Sequence, residues 1–258
     1  MPLLQRTLIH DNGASVKNKG IHFALKRMKT QLRRHYRKYG KTGYIMLIDF
    51  KNYFGNIRHD IMLDIYKKAF GEDRRLMWLA ELFVKAFGDV GLGLGSEVSQ
   101  GSAIAYLTAI DHFIKERLRL VYAHYMDDNE FLLLERVDAI NNLRILTAKY
   151  DEYGIVTTPK KINIVKLSQG FTFIKARFSI TDTGRIVLRS SRESITRQRR
   201  KLKKFKVKHD AGQMTLDDIH CGYMSWRGYI AHFKAGKTIK NMDYLYQKLF
   251  GVSPIQKT

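Results

Sequence analysis

The sequence predicts an α+β fold, on three observations. Short β-rich runs (Tyr44–Ile48, Leu120–Tyr125, Phe131–Leu134) fall early and in the middle of the chain, helical periodicities separate them, and the stretch beyond Ser190 reads as helical almost to the end. Of the 258 residues 45% are hydrophobic, enough to bury a core even though the net charge is +22. Prolines occur only at positions 2, 159 and 254, and no repeat or low-complexity linker interrupts the chain, which points to subdomains sharing one core.

The elements follow in order. From Ile21 to Tyr39 the apolar residues Ile21, Leu25, Met28, Leu32 and Tyr36 step by three or four, predicting a basic amphipathic helix. Tyr44-Ile-Met-Leu-Ile48 suits a buried strand ending at Asp49. Helical patterns cover His59–Phe70 and Arg74–Phe87, and the glycine-rich Gly88–Gly95 breaks them. Ser99 is the expected N-cap of the next helix, which runs through Ile104, Leu107, Phe113 and Leu118. The β-rich runs on either side of Met126-Asp-Asp-Asn129 predict a hairpin with two acids at its tip. A helix over Asp138–Tyr153 is expected to end at Gly154. Strands are then expected near Ile162–Val165, Phe171–Ile180 and Arg185–Leu188, before the helical tail.

Charge bounds the partner. Two stretches concentrate the cations: Lys17–Lys41 holds ten and no acid, and Arg185–Lys208 holds eleven with Glu193 alone opposing them. With Phe23, Tyr36, Tyr39 and Phe205 among them, these runs predict a groove that tracks nucleic-acid phosphates. An acidic membrane surface would favour one amphipathic basic helix, and no run nears the roughly 18 apolar residues of a span. The lone Cys221 excludes an internal disulfide and a thiolate zinc site, and Met-Pro-Leu-Leu-Gln is no secretion signal, so a reducing cytosol is expected. The histidines lack partners at metal-ligand spacing.

The chemistry-bearing residues are acidic. Asp127 and Asp128 are adjacent at a turn and repel each other, so keeping both ionised needs cations nearby. Asp49 closes an apolar strand, where an unpartnered carboxylate is costly. Three carboxylates meeting at strand ends can hold two Mg²⁺ ions, which clamp the attacking and leaving oxygens of a phosphoryl transfer.

Ile48-Asp-Phe-Lys-Asn-Tyr-Phe54 resembles the first catalytic motif of reverse transcriptases, and Tyr125-Met-Asp-Asp128 is similar to their Y-x-D-D hairpin, in the same order and at similar spacing. Gly154–Lys161 resembles the motif that ends in a lysine near the incoming phosphates, and Phe173–Phe178 resembles the primer-grip hairpin. The resemblance runs from roughly Gly13 to Phe250. Leu94-Gly-Ser-Glu-Val-Ser-Gln100 matches the [ILV]-G-x-x-x-S-Q signature of diversity-generating retroelement polymerases, where most relatives carry Q-G-x-x-x-S-P. Ile110–Phe113, His124–Asp128 and Ser225–Gly228 resemble the same subfamily.

The resemblance implies a right-hand polymerase: partial fingers over 1–43, an RRM-like antiparallel palm sheet packed on helices over 44–180, and a basic helical thumb over 181–258. It makes Asp49, Asp127 and Asp128 the metal triad, with two Mg²⁺ ions expected and Mn²⁺ as a substitute, and Lys161 or Lys160 the general acid. Phe54, or Tyr53 in the alternative register, would exclude a ribonucleotide; Phe50, Ser99 and Gln100 would line the nucleotide site. Leu94, Gly95, Lys175, Arg197, Arg200 and Lys204 would contact template and primer.

Implied partners are deoxynucleotides, a template RNA with its RNA–DNA duplex, and an accessory variability protein, in a bacterial or phage-encoded cytoplasmic system with cDNA altered at template adenines. Only 43 residues precede Tyr44, fewer than in relatives, so a second polypeptide supplying fingers strands is a further expectation. The other readings are a truncated, maturase-like RNA-binding protein and a defence-type reverse transcriptase.

Overall fold

A computed structural model describes residues 2–255. The chain divides into two compact units, 2–174 with 182–184, and 175–181 with 185–255.

The first unit opens with one turn, α1 (Pro2–Gln5), and then the predicted amphipathic helix α2 (Ile21–Tyr39). The bounds of α2 match the periodicity because its apolar positions Leu25, Met28 and Leu32 are buried, while Gly40, at φ 63°, stops it and donates its N–H to the Tyr36 carbonyl. Strand β1 (Tyr44–Asp49) follows, then α3 (His59–Phe70), α4 (Arg74–Lys85), α5 (Glu97–Tyr106) and α6 (Thr108–His112), the last running into a π-helical turn over Phe113–Arg117. The hairpin β2 (Val121–Tyr125) and β3 (Asp128–Leu133), helix α7 (Arg136–Glu152), β4 (Asn163–Lys166) and β5 (Phe171–Phe173) complete it.

β1 lies inside an antiparallel sheet of order β2-β3-β1-β4. Ile45, Met46 and Ile48 are almost wholly buried, so both faces of β1 are covered, which is why its sequence is a continuous apolar run. Met46, Ile48, Phe131 and Leu133 share a core with Tyr150 of α7 and residues of α3–α5. Gly43 enters β1 at φ 126°, and a Cβ there would come within 2.8 Å of both His35 Nε2 and the Leu133 carbonyl oxygen.

Three expectations are corrected. The N-cap of α5 is Ser96, whose hydroxyl accepts from Val98 N–H at 3.2 Å; Ser99 lies a turn inside the helix. The expected helix through Leu118 is divided at Leu107 and again at the π-helical turn. The expected strand Phe171–Ile180 breaks at Ile174 and Lys175, both at positive φ (46° and 60°).

In the second unit β6 (Ala176–Ile180) pairs antiparallel with β7 (Ile186–Ser190). Helices α8 (Arg192–Asp210), α9 (Leu216–Ala231) and α10 (Gly236–Phe250) pack around Leu202, Ile219, Tyr223, Met242 and Tyr246. A reciprocal capping box between Thr215 and Asp218 starts α9. Tyr223 and Arg227 both donate to Asp243, at 2.6 and 3.0 Å, tying α9 to α10. No described helix is long and apolar enough to cross a membrane.

Candidate active site

The sheet register brings the acids together. Asp49, the last residue of β1, is the cross-strand partner of Asp128, the first of β3, and Asp127 sits in the turn immediately before it. All three are half-buried. Burial, with the Asp49 charge adding to it, raises the Asp127 pKa above the ordinary carboxylate value, against the Lys161 charge. A carboxylate 78 positions away in the numbering thus adds to the negative charge at Asp127.

Lys161 is delivered by backbone pairing. Lys51 N–H donates to Val156 O at 2.8 Å, Thr158 N–H to Asp49 O at 3.3 Å, and Phe50 bridges Thr157, so the segment after α7 runs against the end of β1. Pro159 then starts a single 3₁₀ turn, which carries Lys161 Nζ to 2.7 Å from Asp49 Oδ1. Its hydrogen bond to Asp49 raises the Lys161 pKa, with smaller contributions from Asp127 and Asp128. Lys160, the alternative register, makes no hydrogen bond or ion pair among the described residues.

A buried network that sequence reasoning missed braces the acidic turn. Met126 has φ 56°, a conformation costing a non-glycine residue on the order of 1 kcal/mol or more. Asn129 Nδ2 donates to the Asp127 carbonyl at 2.9 Å, and His124 Nδ1 lies 3.3 Å from the Met126 carbonyl. His124 Nε2 is 3.1 Å from Asp111 Oδ2, with both side chains fully buried. Both ring nitrogens face acceptors, an arrangement that the imidazolium satisfies at both positions. Burial lowers the His124 pKa, but the charge and hydrogen bond of Asp111 outweigh it, leaving it raised. The Tyr122 hydroxyl lies 2.9 Å from Asp111 Oδ1 and 2.8 Å from Asn129 Oδ1, closing the network. Asp111 and His124 lie in two of the segments that carry the subfamily resemblance, Ile110–Phe113 and His124–Asp128, but nothing in the sequence pairs the two side chains, 13 residues apart.

The remaining expected site residues divide. Phe54 is half-buried in a short 3₁₀ turn, whereas Tyr53 is 4% exposed and donates its hydroxyl to the Ala103 carbonyl. Phe50 is 2% exposed and packs on Tyr53 and Tyr150, so its ring is core and unavailable to a nucleotide. Ser99 is fully buried and its hydroxyl has no partner, which removes it from an open nucleotide site; the neighbouring Gln100 accepts from the Ser15 hydroxyl at 3.2 Å. Leu94 is 81% exposed and Gly95 takes φ 94°. In the second unit Lys175, Arg197, Arg200 and Lys204 are all exposed, the last three on α8. Tyr223 is core, and Trp226 packs against that core.

The donor set suits a hard divalent cation, because Asp49 and Asp127 supply charged, mutually repelling oxygens beside a single lysine. It is not closed around a point: among the described residues no three His, Cys, Asp or Glu side chains stand ready as a metal-holding group. Asp49 instead holds the Lys161 ammonium.

The search of curated proteins finds no match. Among solved structures, telomerase from Candida albicans in complex with the TWJ fragment of telomeric RNA superposes with TM-score 0.55 at 10% identity, over 96% of this chain and 47% of that one. Telomerase from Candida tropicalis with the same RNA fragment gives 0.53 at 13%, over 95% and 46%. Apo telomerase from that organism, truncated from its C-terminal domain, gives 0.54 at 12%, over 72% and 44%. At these identities the likeness concerns the fold, and this chain spans less than half the length of each telomerase chain. Residues 5–209 match the family described as "Reverse transcriptase (RNA-dependent DNA polymerase)". That match takes in Asp49, the Asp127–Asp128 turn and Lys161, and on it the chain belongs to the reverse transcriptase family.

Proposed function

We propose that the chain is the catalytic part of an RNA-directed DNA polymerase of the diversity-generating retroelement type, copying a template RNA into cDNA with elevated error at template adenines. The observation that carries the polymerase reading is the meeting of Asp49, Asp127 and Lys161 at one end of the sheet. The subfamily reading rests on Leu94–Gln100.

Asp49 and Asp127 would hold divalent ions, Mg²⁺ or in its place Mn²⁺, with Asp128 beside them. Bound there, such ions stabilise charge on the attacking and leaving oxygens of a phosphoryl transfer. Lys161 would exchange its Asp49 contact for the leaving pyrophosphate and protonate or neutralise it. Of the two aromatic candidates, Phe54 is the one with exposed surface to set against a 2′-hydroxyl. Exposed Lys175, Arg197, Arg200 and Lys204 would hold the phosphates of template and primer, giving affinity that falls with salt and carries no sequence preference. An accessory variability protein, a second polypeptide completing the fingers, and a bacterial or phage cytoplasmic setting belong to this reading.

One observation favours a second reading, a non-catalytic, maturase-like RNA binder: Asp49 is engaged by Lys161, and among the described residues no three acids stand gathered for a metal. Primer extension with Mg²⁺, deoxynucleotides and an RNA template separates the two, followed by sequencing of the product. The polymerase reading predicts template-dependent extension with errors concentrated at template adenines. RNA binding without extension at any nucleotide concentration refutes it, and extension that persists without template indicates a defence-type enzyme.

A further inference from the structure

Away from the acids, the first unit carries a pocket of about 420 Å³ between α2, the π-helical turn and the start of β2. The size falls within the range of small-ligand sites. Its floor is apolar: Leu120, Val121 and Leu132, with Tyr39 at the side. Val121 and Leu132 are cross-strand partners, and Leu132 is four residues along β3 from Asp128, which puts the pocket about 13 Å from the acidic end of the hairpin.

The rim is cationic, and its charges are not equivalent. Arg27 and Lys115 are both engaged by Asp11, at 2.5 and 2.8 Å. Arg34 makes no ion pair or hydrogen bond among the described residues, and Lys38 sits over the Tyr39 ring, 5.0 Å from its centroid. Among the described residues neither of these two cations of α2 is paired with a carboxylate, although Lys38 is engaged by Tyr39. Gln31 supplies an independent observation. It lines the pocket, is 6% exposed, and makes no hydrogen bond among the described residues. The Gln31 amide is not sealed in the interior, so its donors and acceptor stay open to the cavity that it lines.

An anion site beside an apolar floor with an unspent amide fits the parts of a nucleotide. We propose that this pocket takes one unstacked nucleotide, its phosphate on Arg34 and Lys38, its base over Leu120 and Val121, and its base edge on the Gln31 amide. Single-stranded RNA is recognised in this manner, by splayed bases held on apolar or aromatic surfaces and read at their edges. The nucleotide belongs to a single-stranded stretch of the RNA on which the polymerase acts, so the proposal rests on that reading of the active site. A free mononucleotide presents the same chemistry.

The test uses the full chain and a short fluorescein-labelled single-stranded RNA, followed by anisotropy across a salt series. Arg34→Ala/Lys38→Ala is expected to weaken binding about tenfold and to lower the salt slope by about 0.7, the value for one phosphate no longer neutralised on a single strand. Lys67→Ala/Lys68→Ala, an equal charge loss at two exposed residues of α3, is expected to have a smaller effect. Gln31→Leu keeps the volume and charge; it should leave the salt slope unchanged and weaken binding roughly 3- to 10-fold, as loss of one or two hydrogen bonds would. It should do so only when the strand carries bases, with an abasic strand bound as by wild type.

Displacement of the strand by mixed nucleoside monophosphates assigns the site to free nucleotides, and persistence of the strand assigns it to RNA. If the Arg34/Lys38 variant loses no more than the Lys67/Lys68 control, or Gln31→Leu affects both strands equally, the proposal is overturned. Primer extension run in parallel keeps the two ideas apart. A wild type that extends while the pocket variants bind like the control removes the pocket alone. A wild type that binds through the pocket without extending removes the polymerase reading.

Discussion

Replacing Asp111 with asparagine isolates the buried ion pair beneath the acidic turn. The substitution preserves shape and the Tyr122 contact, but removes the charge 3.1 Å from His124 Nε2 in a place neither side chain shares with water. Breaking a buried pair by removing one partner costs about 3–5 kcal/mol. Asparagine can still accept a hydrogen bond, so the low end, about 3 kcal/mol, is expected, and in a chain of this size that lowers the melting temperature by roughly 10 °C.

The sign with pH is fixed by His124. Its pKa is raised in the folded state, so the pair's contribution is fully present below the unfolded value of about 6.5 and is lost as pH rises through the raised folded value. Calorimetric melting of wild type and Asp111→Asn at mildly acidic and at alkaline pH should therefore show a gap that is widest in acid and narrows in base. Equal melting temperatures throughout, or a gap that widens with pH, would refute the imidazolium–carboxylate assignment. Because His124 and Asn129 hold the carbonyls just before and just after the Asp127 Cα, primer extension should fall at temperatures where the fold persists.

Other perturbations have defined outcomes. Asp11 accepts from Arg27 and Lys115, which outweigh its burial and hold its pKa below the usual carboxylate value. Asp11→Asn should cost about 2–3 kcal/mol after allowance for partial exposure of both cations. It should also remove a contribution that is present above about pH 4 and lost as pH falls through the lowered value, readable by urea denaturation across acid pH. Gly43→Ala forces a Cβ against His35 and the Leu133 carbonyl at φ 126° and should destabilise by about 1–3 kcal/mol, measured the same way. Phe54→Ala should raise ribonucleotide incorporation in a competition assay, with a smaller loss of stability than Tyr53→Ala because Phe54 is only partly buried against the core. Tyr53→Ala should chiefly destabilise, by about 3–5 kcal/mol.

What the sequence reveals follows from how local each signal is. α2 and α3 are legible to the residue because an apolar stripe and a following glycine mark each one. β1 and the acidic hairpin are legible because apolar runs end at acids. Ser96 and Ser99 present the same side chain at the start of α5, and only the backbone settles which is the cap. Ile174 adopts φ 46° although its β-branched side chain favours a strand, so tertiary packing overrides propensity there. In the site, motif order points to the acids and Lys161, whereas burial is what separates half-buried Phe54 from Tyr53 and places Phe50 and Ser99 in the interior. The Asp111–His124 pair has no local signature, because an ion pair between a helix and a strand exists only once the sheet has formed.

The central claim is that Asp49 and Asp127 act together in template-directed nucleotide addition. Single-turnover primer extension over a Mg²⁺ titration, comparing wild type with Asp49→Asn and Asp127→Asn, addresses it most directly. Loss of several kcal/mol of transition-state stabilisation corresponds to a rate fall on the order of 10³-fold in each variant, with RNA affinity retained. Rates within about tenfold of wild type in either variant would contradict the claim.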